Sequence, residues 1–524
     1  MVQMNISDRS AGLNDARNIR FGVILSYAGM VVSIIGALFV SNRVLNYIGD
    51  YSYGLYSFVN SITTWLTVVS SALTASFLRY TTIEANQNDG SVGRTNTIYL
   101  KMLALIGLAV LAVGFLTLGI LYANQITIGK YNWEDSRLMY ALFALSIFNI
   151  GLTMPTGVFS LYITYKKRFV FAKLSAIVIL VINFAGQFFI AYRGRSIVAI
   201  AGFAIVVTLL TWLCNACFCR RALRMEFTKV SLRANKSLVY SIFAFSGILF
   251  FNSVVDQINY NVDKTLLGIL ATPEDVTIYQ MAQQLVAYLT TMSVSVSGVY
   301  APTIHELTVK RDMEGINDLY LKISKIQSII LCCVAFGFLA CGKDFIVWWI
   351  GEKRAMSYYV AAVLMLLNIG PLTLNSSIEI QRAQNKHLFR AVTYFALAIA
   401  NVVVSIVFLH LFDQEKAIFA CLAGTVITTV CSHWISMNLY NKRVIGLPVG
   451  KYLLTLLRYV LAGTAGYLAV LVCNRLWICR METVLLRFVT QGLVFVLAYL
   501  MLVALLNKAF LRDRFAKIRQ RGLR

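Results

Sequence analysis

Residues 98–122 read IYLKMLALIGLAVLAVGFLTLGILY, an apolar run whose one charge, Lys101, sits near its start. At 1.5 Å per residue a helix of that length exceeds the hydrocarbon core of a bilayer, roughly 30 Å thick. A backbone in lipid must satisfy its own polar groups, and a helix does so within one segment. Comparable runs recur along the whole chain. They cover residues 19–40, 55–78, 98–122, 138–165, 169–191, 197–217, 239–258, 278–300, 324–340, 359–380, 388–411, 417–439, 452–473 and 484–506. The expected fold is an all-α integral membrane protein with 14 transmembrane helices. Composition agrees, because 13% charged residues among 524 is well below the roughly 25% of a soluble domain.

The formal net charge is +24. A basic chain of this kind suggests nucleic acid until its cations are placed. With basic residues at the cytoplasmic span ends counted in the segments they adjoin, one side of the membrane holds 33 Lys and Arg and the other holds 12; with Arg458 and Arg487 left to the spans, the total is 47. That bias follows the positive-inside rule and puts both termini in the cytoplasm. No long polar domain exists to carry a nucleic-acid surface, so no nucleic-acid partner is expected. The first apolar run lacks a small-residue cleavage site and is expected to stay as the first helix.

The ten cysteines fall mostly within apolar runs, where they act as small hydrophobes. Cys214, Cys217 and Cys219 cluster, but the nearest histidine in sequence is His305, so no metal site is expected. Cys473 and Cys479 flank the last outer loop and are a candidate pair in an oxidising compartment.

The chain also resembles itself. Asn42-Arg43-Val44-Leu45 leading to Tyr56 matches Asp263-Lys264-Thr265-Leu266 leading to Tyr279. Thr82-Ile83 matches Thr303-Ile304, and Arg168, Phe171 and Asn183 match Lys386, Phe389 and Asn401, in the same order. Two pseudo-symmetric six-helix bundles are expected, related by an axis along the membrane normal. The expected organisation is residues 1–218, a basic cytoplasmic linker at 219–237, residues 238–440, and an appended pair of helices with a basic tail at 441–524. Pro155 and Pro371 interrupt corresponding helices and are candidate hinges, though ordinary bilayer prolines look the same in sequence.

Polar side chains inside a membrane are costly and point to cavities. Asn252, Asp256, Asn259 and Asp263 are spaced by four, three and four, on one face of the seventh helix, with Lys264 at the end. Gln280, Gln283 and Gln284 open the eighth helix, and Asn42, Arg43, Tyr56, Asn60 and Thr64 hold the equivalent place in the first half. Amides and hydroxyls match sugar hydroxyls, and Arg43 and Lys264 match phosphate. The plainer alternative is helix-to-helix hydrogen bonding, with Arg43 reaching to the interface. Arg79, Glu379 and Arg382 end helices near the inner surface and are candidate gate residues. Asp256 is the candidate for coupling to H+ or Na+; no other cofactor is expected.

The run Ile48-Gly49-Asp50-Tyr51-Ser52-Tyr53-Gly54-Leu55-Tyr56 resembles the segment after the first helix of Wzx-type polysaccharide flippases, and Val262-Asp263-Lys264-Thr265-Leu266-Leu267-Gly268 with Ile278-Tyr279 resembles its counterpart in their second half. That family lies in the multidrug, oligosaccharidyl-lipid and polysaccharide exporter superfamily. The resemblance implies alternating-access export, across the bacterial inner membrane, of a polyprenyl-pyrophosphate-linked oligosaccharide for O-antigen, capsule or exopolysaccharide. It implies a lipid-linked substrate, the bilayer, and a glycan polymerase with chain-length machinery as partners. The segment 271–277 lacks the glycine usual before the Tyr279 position. A cation-coupled multidrug exporter shares this fold. A membrane glycan polymerase or glycosyltransferase would need acid, base or metal groups in sizeable outer loops, which are short here.

Overall fold

The computed structural model describes residues 6–87, 92–128, 131–194, 196–384, 386, 388–412 and 416–507. Among them there is no strand. The elements run α1 (Ile6–Ile48), α2 (Asp50–Thr63), a 3-10 turn at Thr64–Leu66, α3 (Thr67–Gln87), α4 (Gly93–Ala123), α5 (Trp133–Tyr165), α6 (Phe169–Tyr192), α7 (Ile197–Arg221), α8 (Lys236–Leu270), α9 (Pro273–Val309), α10 (Met313–Ile350), α11 (Met356–Thr373), α12 (Asn375–Ala383), α13 (Leu388–Leu411) and α14 (Ala417–Thr429). α14 continues through wide π turns at Val430–Met437 and Asn441–Ile445 with one α turn, α15 (Asn438–Tyr440), between them. α16 (Val449–Leu476) and α17 (Val484–Leu506) follow.

Eleven of the described helices are long and apolar enough to cross a membrane, twelve if the bent pair α2–α3 is one span. The expectation of 14 is therefore not reached on length and apolarity. α8 and α9 stand outside the count. α9 interrupts its apolar residues with Gln283, Gln284, Thr290, Thr291, Ser293 and Ser295, and several side chains of α8 lie outside those described. Outward faces are apolar, as a lipid-facing surface must be: Val113, Leu116 and Leu497 are each more than 60% exposed.

The chain forms two compact units, Met1–Thr277 and Ile278–Arg524. In the first, α4 packs on α5, α1 on α6, α7 on α5 and α6, and α8 on α2 and α3. Its core gathers Leu73, Phe77, Tyr99, Val158 and Tyr162. The Tyr99 hydroxyl meets Ser76 Oγ at 2.7 Å, which Ser246 on α8 also reaches at 3.1 Å. In the second unit α10 carries α11, α16 and α17, and α13 pairs with α14. The Ser293 hydroxyl is a polar hub there: it donates to the Leu372 carbonyl at 2.6 Å and accepts from Gln327 and Asn375, each at 3.0 Å. Cys473 and Cys479 are free thiols.

Candidate substrate cavity

Gly49 separates α1 from α2. Its φ of 88° turns the chain in a conformation that a side chain would strain. α2 then presents Tyr56, Asn60, Thr63 and, past the 3-10 turn, Thr67, spaced by four, three and four and so on one face. This face, with Thr64, lines a cavity of about 190 Å³ closed by Ser146, Asn149 and Ile150 of α5 and Ala201 and Ala204 of α7. The two alanines leave room where larger side chains would fill the space. Asn149 Oδ1 is buried there without a hydrogen-bond partner, an acceptor left for a donor not supplied by the protein.

The hydroxyls on this face also act on the backbone. Thr63 donates to the Val59 carbonyl at 3.0 Å, Thr64 to Asn60, and Thr67 to Thr64 at 2.7 Å. Ser70, Ser71 and Thr74 continue the series on α3, donating to carbonyls three residues back. Such bonds compete with the helical ladder and bend helices. The helix pair α2–α3 turns by 49° across this stretch.

Residues 48–61 and 262–277, which include most of the two stretches that carry the resemblance, pack together inside the first unit. A Cβ at Gly54 would overlap the Pro273 backbone, and one at Gly268 would overlap the Phe58 ring, so only glycine permits either approach. Ser61 and Thr265 share a hydroxyl contact at 2.9 Å, the Thr277 hydroxyl donates to the Asp50 carbonyl at 2.8 Å, and the Tyr131 hydroxyl to the Gly268 carbonyl at 2.6 Å.

Of the expected residues, Tyr56, Asn60 and Thr64 come together at the cavity. Asn42 instead accepts from Asn46 at 2.8 Å on its own helix, and Arg43 is exposed with its guanidinium 5.8 Å from the Phe39 ring. Asp263 and Lys264 are buried, 4% and 9% exposed, and attract each other. The side chains of Asn252, Asp256 and Asn259 lie outside the described residues. Beside them runs a polar row that the sequence reading passed over: Ser253, Gln257, Asn261 and Thr265, spaced by four. Its two ends bond α3 through Ser71 at 3.0 Å and α2 through Ser61, so part of the polarity of α8 serves packing. In the second unit Gln280, Gln283 and Gln284 lie on α9, with Gln284 donating to the Tyr288 hydroxyl at 3.1 Å. The candidate gate residues are occupied locally: Arg79 stacks 4.3 Å from the Phe245 ring, and Glu379 pairs with Arg382 at 2.7 Å. Ser146 and Asn149 were also missed. A polar pair three residues apart in the otherwise apolar middle of α5 is the signal that marks them.

A family model described as polysaccharide biosynthesis protein matches residues 48–359, more than half of the chain. The chain belongs to that family. The matched region contains both glycine-bearing segments and the whole cavity. Among solved structures, the fold is similar to the lipid II flippase MurJ in an inward closed conformation, with a TM-score of 0.69, 14% identity, and coverage of 94% of this chain and 100% of that one. It is also similar to the MATE multidrug transporter DinF-BH, with a TM-score of 0.60, 13% identity, and coverage of 82% and 95%. An inward-facing multidrug transporter of the MOP superfamily gives a TM-score of 0.58 at 13% identity over 79% and 99%. At these identities the likeness is one of fold: that of the MOP-superfamily transporters. No curated protein sequence matches the chain.

Proposed function

We propose that this family member is a flippase that carries a polyprenyl-pyrophosphate-linked oligosaccharide, destined for O-antigen, capsule or exopolysaccharide, across the bacterial inner membrane by alternating access. In this reading the chain spans the membrane fourteen times, as two six-helix repeats and a C-terminal pair, with both termini cytoplasmic. The observation that carries it is the cavity of about 190 Å³ lined by a phenol, two amides and four hydroxyls. Such a wall pairs with sugar hydroxyls and offers no fixed charge. Its volume is below the roughly 300–1,000 Å³ of sites that enclose a drug-sized ligand, so it takes one ring of the glycan rather than the whole. The family match supports the glycan, and the fold shared with a lipid II flippase supports movement of a lipid-linked one.

The inside-negative potential favours outward transfer of an anionic head group by roughly 2.3 kcal/mol per charge per 100 mV, so coupling to H+ or Na+ through Asp256 would add to a gradient already present. Pro155 and Pro371 would flex the lobes, and Arg79, Glu379 and Arg382 would close the inner side. A glycan polymerase and chain-length machinery would take the product.

Deletion of the gene followed by lipid analysis tests the proposal. The lipid-linked repeat unit should accumulate on the cytoplasmic face, and Asn60→Ala with Asn149→Ala should reproduce that accumulation. Loss of repeat-unit synthesis would indicate an enzyme, and an unchanged surface glycan with lost dye efflux would indicate a drug exporter.

A further inference from the structure

We infer that the groove between the start of α4 and the segment 226–235 is a binding site for the headgroup phosphate of an anionic membrane phospholipid, separate from the transport cavity. The segment is built onto α4. The Thr228 amide donates to the Gly93 carbonyl at 3.3 Å, Asn96 Nδ2 to the Glu226 carbonyl at 3.1 Å, and Lys101 Nζ to the Val230 carbonyl at 2.5 Å. Gly93 is the contact point, since a Cβ there would press into Thr228 Oγ1. Beside them lies a shallow depression, open to the surface, of about 590 Å³, lined by Lys101, Lys229, Val230, Ser231, Leu232 and Arg233.

Among the described residues three cations and no carboxylate line this space; Glu226, at the start of the segment, is exposed but is not part of the lining. The nearby Glu84 is already engaged, accepting from the Thr95 amide at 2.7 Å. Lys101 spends one of its three donors on Val230 and keeps two, and an Arg fork matches a phosphate bidentately.

The surface below the groove identifies the ligand as a lipid. Lys101 heads a row on α4 formed by Leu105, Leu108, Ala112 and Leu116, spaced by four, three, four and four and all exposed. An acyl chain lying along that row delivers its headgroup to Lys101. Phe227 within the segment, 45% exposed, and Tyr240 beyond it, 76% exposed, are placed as interfacial aromatic residues are. A zwitterionic headgroup would bring its own cation against Lys229 and Arg233, so the site selects a lipid of net negative charge.

Native mass spectrometry of the full chain, titrated with phosphatidylglycerol or phosphatidylcholine, tests the site. The first phosphatidylglycerol should bind at least roughly tenfold tighter than phosphatidylcholine, at about fivefold per cation. Lys101→Gln with Lys229→Gln and Arg233→Gln should bring the two lipids level, whereas Lys229→Arg should keep the preference. Arg233→Gln alone, at an exposed position, should weaken phosphatidylglycerol by about fivefold even if the triple variant does not fold. An unchanged preference in Arg233→Gln overturns the inference. So does displacement of the lipid by inorganic phosphate at millimolar concentration, which would mark a site for free phosphate.

Discussion

Pro371 has no amide hydrogen to give the Leu367 carbonyl, four residues back, and the indole N–H of Trp434 donates to that carbonyl instead at 3.2 Å. Gly370 makes this fit, because a Cβ there would enter the Trp434 ring. An unsatisfied carbonyl within a membrane is costly, so Trp434→Phe, which keeps a smaller aromatic ring and removes the donor, should destabilise the protein by at least about 1–3 kcal/mol. Pro371→Ala restores the amide, so in that background the same substitution should cost distinctly less. Thermal unfolding of the four proteins in detergent measures the cycle; equal costs in both backgrounds would show that Trp434 acts through packing alone. Pro155 is handled differently, since the Gly151 carbonyl it frees lies against Gly107, where a Cβ would sit 2.7 Å away. Both prolines were legible in the sequence as interruptions. Their partners were not, because Trp434 and Gly107 belong to other helices and no local pattern ties them to a proline.

At the scale of elements, the bend between α2 and α3 shapes the cavity wall. From sequence, residues 55–78 are expected as one span, since apolarity and length are insensitive to side-chain hydroxyls that compete for backbone carbonyls. Tyr56, Asn60 and Thr64 line one cavity because the period of one helix brings them together. Ser146 and Asn149, which complete it, depend on how α5 packs against α2, and that lies beyond any single helix. If the hydroxyls cause the bend, Thr63→Val, Thr64→Val and Thr67→Val together should straighten the pair. Spin labels at the exposed positions Tyr51 and Ile83 would then move apart by about 4 Å, from a 1.5 Å rise per residue and a 49° bend. A distance distribution unchanged from wild type would assign the bend to packing against α8.

Across the whole molecule, the internal repeat and the packing answer different questions. In the repeat expected from sequence α8 opens the second half, whereas in the structure it packs within the first unit, with Gly268 against Phe58 of α2. The last helix pair is expected from sequence as an appendage to the repeats; in the structure α16 and α17 both pack along α10. The Phe495 ring lies where Gly337 and Gly466 leave space, and a Cβ at Gly463 would enter the Phe336 ring. The Tyr499 hydroxyl donates to the Ile329 carbonyl at 2.9 Å, and Tyr452 shares a 2.7 Å contact with Thr373. Asp344, on α10, accepts from Gln491 at 2.9 Å and faces Arg487 at 3.7 Å. Removing the pair would leave that carboxylate without those partners and would bare the glycine-lined face. A chain ending at Leu447 should therefore fail to purify as a monodisperse species, while co-expression of residues 448–524 as a separate fragment should rescue it. Asp344→Asn in the full chain keeps an acceptor for Gln491 and loses the attraction to Arg487, so it should lower thermal stability by far less than truncation. Size-exclusion profiles of fluorescent fusions decide the matter, and a truncated chain as monodisperse and heat-stable as the full one would return the pair to the status of an appendage.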